Sequence, residues 1–121
     1  MKNNLLAWLG LALLAGCTMS DVYDVDAISN VVISAAGRGP RTLTYTLRLD
    51  TMYYSPGVKV SRKDGAERLQ VVKCKVGKTC AFDLPSETNG SFTQVTLPGD
   101  AGEKVFIDGK SGKFIEVALP H

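Results

Sequence analysis

Residues 42 to 49 read Thr-Leu-Thr-Tyr-Thr-Leu-Arg-Leu, and this stretch decides the fold class. Leucine or tyrosine alternates with threonine or arginine at every position. Successive side chains of a β-strand point to opposite faces, whereas an amphipathic helix needs apolar residues three or four positions apart. The stretch therefore predicts a strand with one buried face and one face in solvent.

Similar segments flank this strand, and glycine or proline interrupts them at short intervals. Asp64-Gly65 separates two of them and predicts a hairpin, because both residue types tolerate positive φ. No segment after residue 17 carries a sustained helical period of apolar residues. We predict an all-β domain, a small antiparallel β-sandwich or partly closed barrel of about seven or eight strands. Besides the strand above, strands are predicted at residues 27–36, 58–62, 68–76, 81–84, 92–97, 104–107 and 113–119.

The chain has 121 residues, of which 45% are hydrophobic, and this is enough for one small domain with a single core. The core candidates are the apolar residues expected to point inward from the strands. They are Val31, Ile33, Leu43, Tyr45, Leu47, Leu49, Val58, Val60, Leu69, Val71, Phe82, Val95, Leu97, Phe106, Ile115, Val117 and Leu119.

The beginning of the chain has the organisation of a signal peptide. Lys2 precedes an uninterrupted apolar run over residues 5–15, LLAWLGLALLA. This run is too short for a membrane-spanning helix, which needs about 20 residues, but it is typical of a signal-peptide core. The run ends in Leu14-Ala15-Gly16-Cys17, which resembles the lipobox of bacterial lipoproteins.

The lipobox resemblance implies export, cleavage before Cys17 and attachment of lipid to that cysteine. Thr18 follows where an aspartate would signal retention in the inner membrane of enteric bacteria, so the implied location is the periplasmic face of the outer membrane. We therefore divide the chain into a signal peptide (1–16), a lipidated tether (17–26) and a β domain (27–121). The three aspartates of the tether do not have the spacing of a calcium-binding loop.

Cys74 and Cys80 are predicted to form a disulfide. Disulfides persist in exported proteins, and once lipid occupies Cys17 these two cysteines allow only one pairing. The residues between them, Lys75-Val76-Gly77-Lys78-Thr79, favour a turn. A redox or zinc pair is the weaker alternative, because the spacing is not C-x-x-C and no histidine lies nearby.

Nothing in the sequence indicates catalysis. The single histidine is the terminal residue, His121, and no nucleophile or metal-protease motif is present. The net charge of +2 does not favour a nucleic-acid partner, which requires a concentrated positive field. We expect no enzyme activity, no cofactor and no metal. The glutamates are expected in turns or on polar faces: Glu67, Glu87, Glu103 and Glu116.

The expected function is that of a non-enzymatic binding or structural module. Tyr53 and Tyr54, with Arg38 and Arg41, are candidates for a contact site with a protein partner, since tyrosine and arginine are enriched at such sites. Packing of the tyrosines under a loop is the alternative. The expected partner is a cell-envelope or secretion assembly. The alternative function is a periplasmic inhibitor of a lysozyme-type hydrolase, although basic loops fit a basic lysozyme poorly. No feature points to a glycan-binding module.

Overall fold

The computed structural model describes residues 21–35, 40–48, 50–98 and 104–118. In these ranges the chain forms strands and one short 3-10 turn at Val25–Ala27. The strands are β1 (Asp21–Val22), β2 (Ile28–Ala35), β3 (Arg41–Leu47), β4 (Tyr53–Tyr54), β5 (Gly57–Lys63), β6 (Ala66–Lys75), β7 (Leu84–Pro85), β8 (Glu87–Asn89), β9 (Phe92–Leu97), β10 (Lys104–Asp108) and β11 (Phe114–Val117).

The strands form two sheets, which confirms the predicted all-β fold and makes it a sandwich rather than a closed barrel. The first sheet has seven strands in the order β11-β10-β6-β5-β7, and β1 and β4 also pair with β6. The second has four strands in the order β2-β3-β9-β8. The pairing is antiparallel except between β6 and β10, which run parallel. β6 is thus the strand on which the larger sheet is assembled.

β3 has the alternation that its sequence predicts. Leu43 and Tyr45 are fully buried, while the threonines between them lie on the outer face and remain partly exposed. Leu69 and Ile107 from the larger sheet are also fully buried and belong to the same core cluster. Apolar burial between two such faces is the main term that stabilises a sandwich.

The predicted hairpin at Asp64-Gly65 is confirmed. Lys63 pairs with Ala66, and the two residues between them have φ angles of 55° and 75°. Both values lie in the left-handed region that a two-residue hairpin turn of this type requires. Asparagine or glycine substitutes readily at such positions, whereas a β-branched residue would be strained.

Several core predictions require correction or lie outside the described residues. Phe82 is 41% exposed, because regular strand structure begins only at Leu84 and the ring lies instead over Gly57. Phe106 is on the outer face of its sheet and only partly buried. Leu49 and Leu119 lie outside the described residues. Four other candidates are partly buried and pack against the core cluster: Val31, Leu47, Val60 and Ile115.

The folded domain extends N-terminally of the predicted boundary at residue 27. Asp21 and Val22 pair with β6, and Tyr23 is 5% exposed. The Asp24 carboxylate accepts hydrogen bonds from the Val25 amide and from the Ser111 hydroxyl, 2.9 and 2.8 Å away. These bonds attach the 3-10 turn to the β10–β11 loop. Within the described ranges, no helix has the length and hydrophobicity needed to cross a membrane.

A tyrosine-lined cleft as candidate functional site

An open cleft of about 740 Å³ lies at one end of the sandwich, between the two sheets. β4 forms one wall, because Tyr53 and Tyr54 pair with Lys75 and Cys74 at the end of β6. The end of β3 and the β8–β9 turn form the opposite wall. The lining residues are Tyr23, Thr46, Leu47, Arg48, Asp50, Tyr53, Tyr54, Ser55, Thr88, Gly90, Ser91 and Thr93.

Three tyrosines give the cleft its chemical character. Tyr23 is nearly buried, Tyr53 is half-buried and Tyr54 is 41% exposed. The Tyr54 hydroxyl donates a hydrogen bond to the carbonyl of Lys78 over 2.8 Å. A tyrosine ring provides a large apolar surface with a polar tip, which suits it to a surface that is apolar on one side and wet on the other.

A lysine ammonium group lies against two of these rings. The Nζ atom of Lys73 is 4.5 Å from the ring centroid of Tyr53 and 5.5 Å from that of Tyr23. Such cation–π contacts contribute on the order of 0.5–1 kcal/mol each at exposed sites. Burial, aided by the negative charge of Asp50, raises the pKa of the Tyr23 phenol. Tyr23 therefore stays neutral and can donate a hydrogen bond.

A fully buried hydroxyl lies close to this end of the core. Tyr45 has no exposed surface, and its hydroxyl forms no hydrogen bond of ordinary geometry with any described residue, although Ser55 lies close by. Burial raises the pKa of the Tyr45 phenol, so it also stays neutral. Ser55 lines the cleft, where its hydroxyl donates to the carbonyl of Gly57 over 3.1 Å.

The structure separates the predicted arginines from the predicted tyrosines. Arg41 is 1% exposed and forms a 2.9 Å ion pair with Glu67, which is 2% exposed, so the structure does not place it on the surface beside the predicted tyrosines. The predicted surface position of Glu67 is wrong for the same reason: the pair joins the two sheets inside the sandwich. Arg38, Glu103 and Cys17 lie outside the described residues.

Arg48 and Tyr23 are the residues of the cleft that the sequence reasoning missed. Arg48 follows directly on β3 and donates a hydrogen bond from Nη2 to the carbonyl of Asp26 over 3.2 Å. The strand pattern at residues 42–49 placed Arg48 on a polar face without indicating a cleft. Tyr23 was assigned to the tether, and only its pairing environment beside β6 reveals its burial.

A second aromatic surface covers the outer face of the larger sheet. The rings of Phe106 and Phe114 meet edge to face at 5.6 Å, and the Arg68 guanidinium lies 4.6 Å from the first centroid and 5.3 Å from the second. Asp108 accepts a 2.7 Å hydrogen bond from Arg68 Nε. Phe114 is 56% exposed and provides a matched aromatic control for experiments on the cleft.

The disulfide prediction is confirmed. Cys74 and Cys80 are bonded, and their Cα atoms are 5.9 Å apart. Among the described residues, no three histidine, cysteine, aspartate or glutamate side chains are grouped so that they could share a metal ion. The polar groups that line the cleft are phenols, aliphatic hydroxyls, the Arg48 guanidinium and the Asp50 carboxylate.

Comparison with known proteins gives no match, whether to a protein-family model, to a curated protein or to a solved structure.

Proposed function

We propose that this chain is a non-enzymatic lipoprotein on the periplasmic face of the outer membrane, anchored by lipid on Cys17. Its β domain binds a protein partner of the cell envelope through the tyrosine cleft. The observation that carries the binding proposal is the open cleft with an exposed Tyr54 at its rim. The lipobox-like sequence Leu14-Ala15-Gly16-Cys17 carries the anchoring.

The composition of the cleft favours a polypeptide ligand. Tyrosine and arginine dominate the binding energy of protein interfaces, because they combine large contact areas with specific hydrogen bonds. Asp50 and Ser91 supply polar groups at the rim, in the arrangement of an apolar centre and a polar edge that protein interfaces share. A tether that keeps the domain at one membrane increases its encounters with a partner held in the same membrane.

Replacing Cys17 by serine tests the anchor. The hydroxyl does not accept the diacylglyceryl group in the way a thiolate does, so we expect the Cys17→Ser chain to lose its acyl mass. We also expect the variant to be absent from the membrane fraction from which detergent extracts the wild-type chain. Mass spectrometry of the purified protein and membrane fractionation measure this. Unchanged acylation or unchanged fractionation of the variant would contradict the lipoprotein proposal.

Replacing Tyr54 by alanine tests the cleft. We expect the variant to lose about tenfold or more of its affinity for the envelope partner, the size typical of an interface anchor. The measurement is quantitative cross-linking in intact cells followed by mass spectrometry. Phe114→Ala is the matched control, because it removes from another face an aromatic ring that is 56% exposed, against 41% for Tyr54. Equal losses in the two variants, both with wild-type melting temperatures, would reject the cleft as the binding site.

A further inference from the structure

The direction of β1 shows from which side the tether reaches the domain. β1 runs antiparallel to β6, with Val22 opposite Val72 and Asp21 opposite Lys73. The chain therefore enters β1 from the end of β6 at which Cys74 and the disulfide loop, residues 74–80, are located. An anchor at the N-terminus of the mature chain pulls on this end of the sandwich and not on the end that holds Arg41.

The tether is too short to hold the domain clear of a membrane. Only residues 18 to 20 lie between Cys17 and Asp21. A chain extends by at most about 3.6 Å per residue, so these four steps span no more than about 14 Å. A domain of about 100 residues has a radius of gyration of about 13 Å. The disulfide-loop end must therefore lie within reach of the lipid headgroups whenever Cys17 is anchored.

Apolar side chains at this same end of the sandwich are exposed to solvent. Met52, Tyr54 and Val76 are 54%, 41% and 59% exposed. Hydrogen bonds hold these residues together. The Val76 amide donates to the carbonyl of Met52 over 2.9 Å, and the Tyr54 hydroxyl donates to the carbonyl of Lys78. We call this set, with Lys75 and Lys78, the loop patch.

Two exposed lysines flank the apolar tips. Lys75 and Lys78 are exposed beside Val76, and Lys73 lies two residues before Lys75 on β6, opposite Asp21 of β1. Asp50 is the acidic residue of the β3–β4 segment, and its carboxylate accepts a 2.8 Å hydrogen bond from the Met52 amide. Apolar and tyrosine side chains next to lysines are the combination that binds at the boundary between acyl chains and anionic headgroups.

We propose that the loop patch rests on the surface of the membrane that holds the anchor, with Met52 and Val76 among the headgroups and both lysines on anionic phosphates. This inference rests on the proposed lipidation of Cys17. Because β4 supplies both Tyr54 and a wall of the cleft, the cleft then opens beside the membrane. A segment bound there belongs to a partner that is itself close to that membrane.

A single tryptophan reports on the contact. Cleavage before Cys17 removes Trp8, the only tryptophan of the chain, so Val76→Trp is the sole indole of the mature protein. Val32→Trp is the matched control, because Val32 is 57% exposed on β2 in the other sheet. Both lipidated variants are placed in vesicles of phosphatidylcholine and phosphatidylglycerol that contain brominated acyl chains, and their fluorescence is recorded.

We expect the indole at position 76 to emit at shorter wavelength and to be quenched at least twofold more than the one at position 32. The difference should decrease in vesicles of phosphatidylcholine alone and in the Lys75→Gln/Lys78→Gln background. Equal quenching of the two indoles in an acylated, vesicle-bound protein would overturn the loop-patch proposal and leave the anchor intact. If the difference in quenching between positions 76 and 32 is the same with and without phosphatidylglycerol, anionic headgroups have no role in the contact. Absence of the acyl mass would instead reject the proposed anchor.

A shift of the emission at position 76 to shorter wavelength that appears only after envelope proteins are added, without quenching by the brominated chains, would show that the loop patch binds a protein rather than lipid. That result would also overturn the proposal.

Discussion

Replacing Glu67 by alanine is expected to lower the free energy of unfolding by about 3 kcal/mol or more. Glu67 on β6 and Arg41 on β3 meet at 2.9 Å with almost no exposed surface. The substitution removes the carboxylate and leaves the guanidinium charge inside the sandwich, where desolvation is costly. For a domain of this size the melting temperature should fall by about 12 °C or more.

A double substitution separates two contributions to the unfolding free energy: the cost of burying the Arg41 charge without Glu67, and the net stabilisation by the ion pair. In Arg41→Met/Glu67→Leu both charges are absent and the volume is largely kept, so we expect much of the lost stability to return. Urea unfolding followed by far-ultraviolet circular dichroism measures all three proteins. If Glu67→Ala unfolds at the wild-type urea concentration, the two side chains are not paired inside the sandwich in solution.

The fold class was accessible from the sequence because local patterns carry it. The alternation at residues 42–49 needs only one buried sheet face, and Asp64-Gly65 needs only its own backbone geometry. The Cys74–Cys80 pair was accessible from the count of cysteines and from the turn between them. Each of these features depends on residues that are near each other in the chain.

The features that were missed depend on contacts between distant segments. A charged residue is exposed by default, and no local pattern shows that Arg41 and Glu67, 26 positions apart, will meet between two sheets. The buried positions of β6 also shift by one residue where Val71 and Val72 are both buried. β1 pairs with this second half of β6, which a simple two-residue period does not reveal.

The cleft was only half predictable for the same reason. Two adjacent tyrosines before a turn were visible in the sequence, and the structure places both of them at the cleft. Their expected neighbours Arg38 and Arg41 were chosen by chemical type. Arg41 begins β3, whereas the cleft lies at the end of that strand, next to Arg48. Strand direction, which composition does not encode, decided which arginine was close.

Removing the disulfide by Cys74→Ala/Cys80→Ala is expected to cost about 2 kcal/mol of unfolding free energy. The bond closes a loop with a sequence separation of only six residues, so the gain from restricting the unfolded chain is modest. Hydrogen bonds also hold this loop, among them the one from the Val76 amide to the carbonyl of Met52. The Lys78 amide donates to the carbonyl of Lys75, and the Tyr54 hydroxyl donates to that of Lys78.

Wild-type protein treated with reductant should unfold at nearly the same urea concentration as the double variant. The double variant should not respond to reductant, which controls for effects of the reductant elsewhere. A wild-type midpoint that stays unchanged after complete reduction would contradict a stabilising role of the bond. Because the same loop carries Val76 and Lys75, reduction should also weaken the quenching of the indole at position 76. A loop freed from Cys74 no longer holds the apolar tip and the lysines in one orientation, and ordering them at the membrane then costs conformational entropy.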